Sequence, residues 1–200
     1  MIAIIDYNAG NLFSVKNALD YLDIDNEVTG EAARLDRADA LILPGVGAFP
    51  DAMRQLDKAG LVGEIRRQAK KKPLLGICLG MQLLFEKGYE FEECEGLGLI
   101  KGEVRKIDAG GLKIPHMGWN SLRFLNPCPL LDGVGEGSYT YFVHSYMACT
   151  GDENIAAYTE YHVRIPALVM NGGVYGAQYH PEKSSRIGLA MLNNFWRLAK

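Results

Sequence analysis

The chain has 200 residues, 48% of them hydrophobic and 22% charged, which is enough apolar material for one sizeable core. A net charge of -3 and an isoelectric point near 5.8 give no electrostatic reason to expect nucleic acid or an anionic membrane as a partner. No apolar run approaches the ~18 residues of a membrane span, and the start lacks the basic flank and apolar stretch of a signal peptide, so a cytoplasmic location and a single domain over residues 1–200 are expected.

Ile2–Ile5 is a short apolar strand closed by Asp6, and Leu12, Val15, Ala18, Leu19 and Leu22 then recur at helical spacing. A second strand is expected near Glu27–Thr29. Ala40–Leu43 is the next, running into Pro44-Gly45-Val46-Gly47, and helical patterns occupy 49–59 and 61–71. Lys70-Lys71-Lys72 closes the last of these as a solvated helix end, where cations are favoured by the dipole. Pro73–Ile77 is a fourth strand, apolar on both faces. Continuous apolar strands alternating with helices predict an α/β fold with a central, mostly parallel sheet flanked by helices. The second half adds antiparallel strands: Leu97–Ile107, Tyr139–Ala148, Ala156–Val163 and Ala167–Tyr179 read as strands, the last interrupted by the hairpin signal Asn171-Gly172-Gly173. A closing helix over Arg186–Ala199 carries Leu189, Leu192 and Trp196 on one stripe, a core-packing pattern.

Cys78, Cys94, Cys128 and Cys149 are unevenly spaced and form no Cys-x-x-Cys pair. Neither a zinc site nor a disulfide framework is encoded, free thiols suit a reducing compartment, and no metal or cofactor is expected. Cys78 stands apart because Gly76-Ile77-Cys78-Leu79-Gly80 turns a buried strand sharply into a helix, the pattern of a nucleophile elbow with cysteine in the serine position. The flanking glycines remove the Cβ atoms that would collide at such a turn. The turn lifts the thiol over the first helical N–H groups, whose partial positive charge favours thiolate. A thiolate there is a candidate nucleophile.

A nucleophile needs a proton donor for its leaving group, and the chain has four histidines. His116, His144 and His162 have structural readings. His180 ends the apolar run Val174–Tyr179, is stopped by Pro181, and is followed two residues on by Glu182. Positions two apart in extended chain face the same way, so Glu182 is placed to hold the imidazole and fix its tautomer. His144 is the rival base, and spacing along the chain leaves both open. Pro44-Gly45-Val46-Gly47 follows a strand at its C-terminal end, where α/β sheets place ligands, and its glycines let N–H groups converge on an oxyanion. The N–H of Leu79, next after the nucleophile, is a second donor.

These three stretches, in this order and along almost the whole chain, resemble the class I glutamine amidotransferase family. The resemblance implies that Cys78, His180 and Glu182 form a catalytic triad that hydrolyses glutamine to glutamate and ammonia. It implies Val46, Gly47 and Leu79 as the oxyanion hole, and Gly47, Gln82, Glu90, Ser145 and Tyr146 as the lining of the glutamine pocket. Glu90 sits in the acidic run Glu90-Phe91-Glu92-Glu93-Cys94-Glu95, which equally reads as a solvated turn. Within the family, Asp6-Tyr7 through Asn11-Leu12, the PGVG loop, Cys78–Gln82 and above all Pro115-His116-Met117-Gly118-Trp119-Asn120 resemble one branch. That branch is a glutaminase subunit paired as a heterodimer with a separate (β/α)8 cyclase subunit, to which it passes ammonia. Asn11, Trp119 and Lys183 would then lie at the interface, although Trp119 reads equally well as a core aromatic at a turn. Two other readings stay open: a free-standing hydrolase on this scaffold, against which the PHMGWN segment speaks, and an inactive regulatory module, against which the complete Cys, His and Glu set speaks.

Overall fold

Eight strands form the central sheet of the computed structural model, which describes residues 1–200. The first half alternates strand and helix: β1 (Ile2–Ile5), α1 (Leu12–Tyr21), β2 (Asn26–Thr29), α2 (Ala32–Arg37), β3 (Ala40–Leu43), α3 (Phe49–Lys58), α4 (Leu61–Gln68), β4 (Leu74–Ile77) and the single turn α5 (Leu79–Gln82). The second half is mostly strand: β5 (Phe85–Gly88), β6 (Cys94–Glu95), β7 (Ile100–Lys106), β8 (His116–Ser121), β9 (Arg123–Phe124), β10 (Tyr139–His144), β11 (Tyr146–Cys149), β12 (Ile155–Tyr161), β13 (Val163–Asn171) and β14 (Val174–Ala177), closed by α6 (Ser185–Arg197). In the main sheet the order is β2-β1-β3-β4-β14-β13-β12-β9, parallel from β2 through β14 and antiparallel beyond. A two-stranded ribbon β10-β8 and a four-stranded sheet β11-β7-β5-β6 stand beside it.

Alternation along β1 explains how both faces are covered. Ile2 and Ile4 point to one side and pack with Val15 and Leu19 of α1 and Leu192 and Phe195 of α6. Ala3 and Ile5 point to the other and pack with Leu56 of α3 and Leu61 and Ile65 of α4. Each such fully buried aliphatic side chain contributes about 1.5–3 kcal/mol, and every residue of β1, β3, β4 and β14 is buried. No helix is long and apolar enough to cross a membrane.

The register between β4 and β14 positions the site. These strands run parallel with Gly76 opposite Gly176 and Ile77 opposite Ala177, and the Cys78 N–H donates to the Ala177 carbonyl at 2.7 Å. Cys78 and the segment Gln178–His180 therefore leave the sheet side by side. Several elements depart from the sequence expectation. Tyr139–Ala148 is two strands broken at Ser145, because β10 pairs with β8 and β11 with β7. The Ala167 strand begins earlier, at Val163, and its hairpin partner ends at Ala177 rather than Tyr179. The strands β5, β6, β8 and β9 and the short helix α2 were not anticipated.

Candidate active site

Between β4 and α5 the chain turns at Cys78, whose φ of 55° and ψ of -112° lie outside the regions a side chain ordinarily adopts. The turn exists because its neighbours are glycine. A Cβ on Gly76 would stand 2.6 Å from the Gly80 carbonyl oxygen, one on Gly45 would stand 2.6 Å from the Gly80 nitrogen, and one on Gly80 would collide with the Leu43 carbonyl. The PGVG loop and the elbow are thus packed backbone to backbone. Cys78 is only 8% exposed, yet it lines a cleft of about 360 Å³ together with Val46, Gly47, Gln82, Glu90 and His180.

His180 reaches the same cleft from the end of β14. Its Nδ1 meets Glu182 Oε1 at 2.8 Å, and both side chains are almost wholly buried. The ring's backbone is fixed as well: the His180 N–H donates to the Tyr141 carbonyl at 2.9 Å, and the Ser184 hydroxyl donates to the His180 carbonyl at 2.7 Å. Burial alone would depress this imidazole, but hydrogen bonds to Cys78 and Glu182 and their negative charge outweigh it and bring its pKa up to about 9. The Cys78 sulfur, besides standing next to this ring, meets the Val143 carbonyl at 3.8 Å and the Gln178 carboxamide nitrogen at 3.9 Å. His144, the rival base, is in a different situation. Its Nδ1 contacts the Tyr146 carbonyl at 2.8 Å and its Nε2 contacts His116 Nδ1 at 3.0 Å, so neither nitrogen is free for substrate. Burial dominates its titration and pushes it down to about 3, leaving it neutral.

On the loop opposite the elbow, the N–H groups of Val46 and Gly47 donate to no acceptor within the chain. Gly47 has a φ of 97°, a conformation open to glycine, and nothing lies within 4 Å of the position its Cβ would take. The start of the loop is pinned by the Tyr7 hydroxyl, which donates to the Pro44 carbonyl at 2.8 Å. Leu79 opens α5 directly after Cys78. Glu90 is not a solvated turn residue: it lines the cleft and accepts the Phe49 N–H at 2.8 Å, capping the start of α3, and partial burial raises its carboxyl. Ser145 and Tyr146 line the cleft wall between β10 and β11. Gln82 donates its amide to the Tyr146 carbonyl and to Gln178 Oε1, both at 3.0 Å, and has no donor on its own oxygen. Sequence reasoning missed Gln178, Val143 and Pro115. Gln178 alone carried a signal, a polar residue two positions before His180 within an otherwise apolar run. No cluster of three or more His, Cys, Asp or Glu side chains is arranged to hold a metal ion.

The remaining three candidates lie outside the cleft lining. Asn11 caps α1, its side chain accepting the Ser14 N–H at 3.4 Å. Lys183 is exposed on the turn after His180. Trp119 is 50% exposed with its ring edge-on to Tyr141 at 5.9 Å, so it is not a core aromatic.

Comparison with known proteins gives the family and the fold. Residues 3–198 match the family model described as glutamine amidotransferase class-I. The imidazole glycerol phosphate synthase subunit HisH of Bacillus cereus strain G9842 is 50% identical over 196 residues, covering 98% of this chain and 93% of the relative. The protein of the same name from Caldanaerobacter subterraneus subsp. tengcongensis is 50% identical over 202 residues, covering 100% and 99%. Among solved structures, a glutamine amidotransferase superposes with a TM-score of 0.78 at 21% identity, covering 99% of this chain and 98% of the other. PurLQS from Thermotoga maritima also gives 0.78, at 22% identity, covering 100% and 98%. At those identities the structures speak for the fold.

Proposed function

The chain belongs to the class I glutamine amidotransferase family, and we propose that it is the glutaminase subunit of an imidazole glycerol phosphate synthase, supplying ammonia to a cyclase subunit in histidine biosynthesis. The Cys78 thiolate attacks the γ-carbonyl carbon of glutamine. The N–H groups of Leu79 and of the Val46-Gly47 loop receive the oxyanion, each donor lowering the barrier by about 3 kcal/mol. As the tetrahedral adduct collapses, the C–N bond breaks and His180 gives its proton to the departing amine, leaving ammonia and a γ-glutamyl thioester.

The raised pKa of His180 suits both halves of the cycle. Before attack, the sulfur's charge helps hold the proton that ammonia will need. Once the sulfur is acylated that support is gone, so the ring, having given its proton to ammonia, stays neutral and free to take one from the water that cleaves the thioester. Glu182 holds the ring in place throughout. Water converts free ammonia to ammonium, which is no nucleophile, so the product must pass to a sheltered acceptor site. The proposed acceptor is a (β/α)8 cyclase subunit joined to this one as a heterodimer. Asn11, Trp119 and Lys183 are its proposed contacts.

The single observation that carries the reading is an imidazole gripped by Glu182 at 2.8 Å and held protonated beside a cysteine at a strained elbow, in one cleft. Glutamate release by the purified protein, with and without the cyclase, tests it. The expected result is slow release alone, strong stimulation by the cyclase, and none in either case from Cys78→Ala, which still docks. Brisk release without the cyclase would point to a free-standing hydrolase, and unchanged turnover in Cys78→Ala would remove the nucleophile from the scheme.

A further inference from the structure

Behind the cleft, two imidazoles that the reaction does not use are joined end to end. His116 Nδ1 meets His144 Nε2 at 3.0 Å, His144 Nδ1 meets the Tyr146 carbonyl at 2.8 Å, and His116 Nε2 meets Asn120 at 2.9 Å. The Tyr146 carbonyl also accepts the Gln82 amide, Gln82 donates in turn to Gln178, and the Gln178 nitrogen lies 3.9 Å from the Cys78 sulfur. One continuous run of polar contacts therefore links Asn120 on β8 to the nucleophile. His116 is fully buried, stacked between Phe142 at 5.0 Å and Tyr161 at 4.2 Å, so its ring has little freedom to turn.

We propose that His116 is a positioning residue of the glutamine site: its Nδ1–H holds the His144 ring by Nε2, and His144 in turn holds the Tyr146 carbonyl that orients Gln82. Proton counting dictates the sense of the chain. A carbonyl only accepts, so His144 must carry its proton on Nδ1 and present a bare Nε2. That lone pair needs a donor, and the only one in reach is the Nδ1–H of His116. A His116 proton on Nδ1 leaves its own Nε2 bare opposite Asn120 Oδ1 at 2.9 Å, so a neutral pair requires the Asn120 carboxamide to be turned over, its NH₂ toward His116 and away from the Glu160 carbonyl that it meets at 3.4 Å. At the other end, the Tyr146 carbonyl and Gln178 Oε1 take both amide hydrogens of Gln82. Gln82 must therefore offer its oxygen to the cleft, where it selects a hydrogen-bond donor of the substrate. Burial keeps both imidazoles neutral and so preserves this order.

The inference rests on the proposed glutaminase reaction only for its kinetic readout. His116→Leu and His116→Asn are compared with wild type in steady-state glutaminase kinetics with the cyclase present, and hydrogen bonding to the His144 Nε2 lone pair is read from nitrogen chemical shifts of ¹⁵N-labelled imidazole. Asparagine can place an N–H near the Nδ1 position; leucine cannot. His116→Leu is expected to lose about tenfold in kcat/KM, mostly through KM, the size of effect that follows when a buried acceptor loses its donor. Its His144 proton should stay on Nδ1, held by the Tyr146 carbonyl, while the Nε2 shift moves to that of a lone pair without a donor. His116→Asn should stay within about threefold of wild type and keep the wild-type Nε2 shift. Should the leucine variant fail to fold, Asn120→Leu at the open edge of the ribbon replaces it, with the same direction of change expected. A wild-type His144 Nε2 shift and unaltered KM in the leucine variant, or an asparagine variant as impaired as it, would overturn the proposal. If wild type releases no glutamate at all, the proposed reaction fails, while the His144 Nε2 shift still decides this inference by itself.

Discussion

His180 and His144 face one cleft in different charge states, the first protonated and the second neutral, because their partners differ: Cys78 and the Glu182 carboxylate for the first, a carbonyl and a neutral ring for the second. The consequence is a stability profile with two limbs. His180 is raised from 6.5 to about 9, so its contribution is complete below 6.5 and disappears as pH rises through 9. His144 is lowered from 6.5 to about 3, so the unfolded chain takes up a proton that the folded chain refuses, and stability falls progressively as pH drops below 6.5. Together these rings place their joint optimum near pH 6.5. Melting temperatures from pH 4 to 10 should bend at both ends, with the alkaline limb reduced in Cys78→Ala, which lacks one of the two groups that hold the His180 proton. An alkaline limb unchanged in that variant would mean the sulfur does not support the ring. The His180–Glu182 pair was legible because two positions in extended chain share a face. The exclusion of His144 was not, since its partner His116 lies 28 residues away along the chain.

At the scale of elements, the elbow and the PGVG loop are one unit, and glycines serve it in two different ways. Gly45 is needed for space: an added Cβ would meet the Gly80 nitrogen at 2.6 Å, Leu79 at 2.9 Å and the Tyr7 hydroxyl at 3.0 Å. Gly47 is needed for conformation: its surroundings are empty, but its φ is 97°. Gly45→Ala should therefore cost about 1–3 kcal/mol of stability through overpacking, lowering the melting temperature by several degrees. Gly47→Ala, on an open loop, relieves its strain by rotating the peptide, so folding is largely spared. That rotation takes its N–H out of aim, and kcat/KM should drop about 100-fold, the effect of one lost oxyanion donor. Wild-type turnover in Gly47→Ala would remove this N–H from the oxyanion hole. Elements with strong periodicity, such as α1, β3, β4 and α6, were legible in the sequence. The strand β8 was not, because its inward positions are His116, Gly118 and Asn120, which give no apolar alternation and are satisfied only by the partner strand β10. The helix α2 buries a single residue, Leu35, too little to print a pattern.

Across the whole molecule, chain order and sheet order diverge: β14, nearly the last strand, lies next to β4, and that pairing alone brings His180 to Cys78. Local patterns carry no trace of a contact between residues a hundred positions apart, so the motifs were readable while the assembly of the site was not. The same nonlocal packing gathers the proposed interface. The cap of α1 and the Pro181–Lys183 turn belong to elements that pack on each other, and the turn also packs on β10, whose ribbon with β8 turns Met117, Trp119 and Tyr139 outward at half exposure or more. Such an apolar strip beside a free cation at Lys183 fits a docking face with an apolar centre and a charged rim. Trp119 is braced against Tyr141 but buries only half its surface, so it has most to gain from a partner. Trp119→Ala should weaken cyclase binding by about 2 kcal/mol or more, roughly a 30-fold rise in Kd by titration calorimetry, while unstimulated glutamate release stays at the wild-type level. Equal affinities for the two proteins would put the acceptor subunit on a different face and detach the ribbon from ammonia transfer.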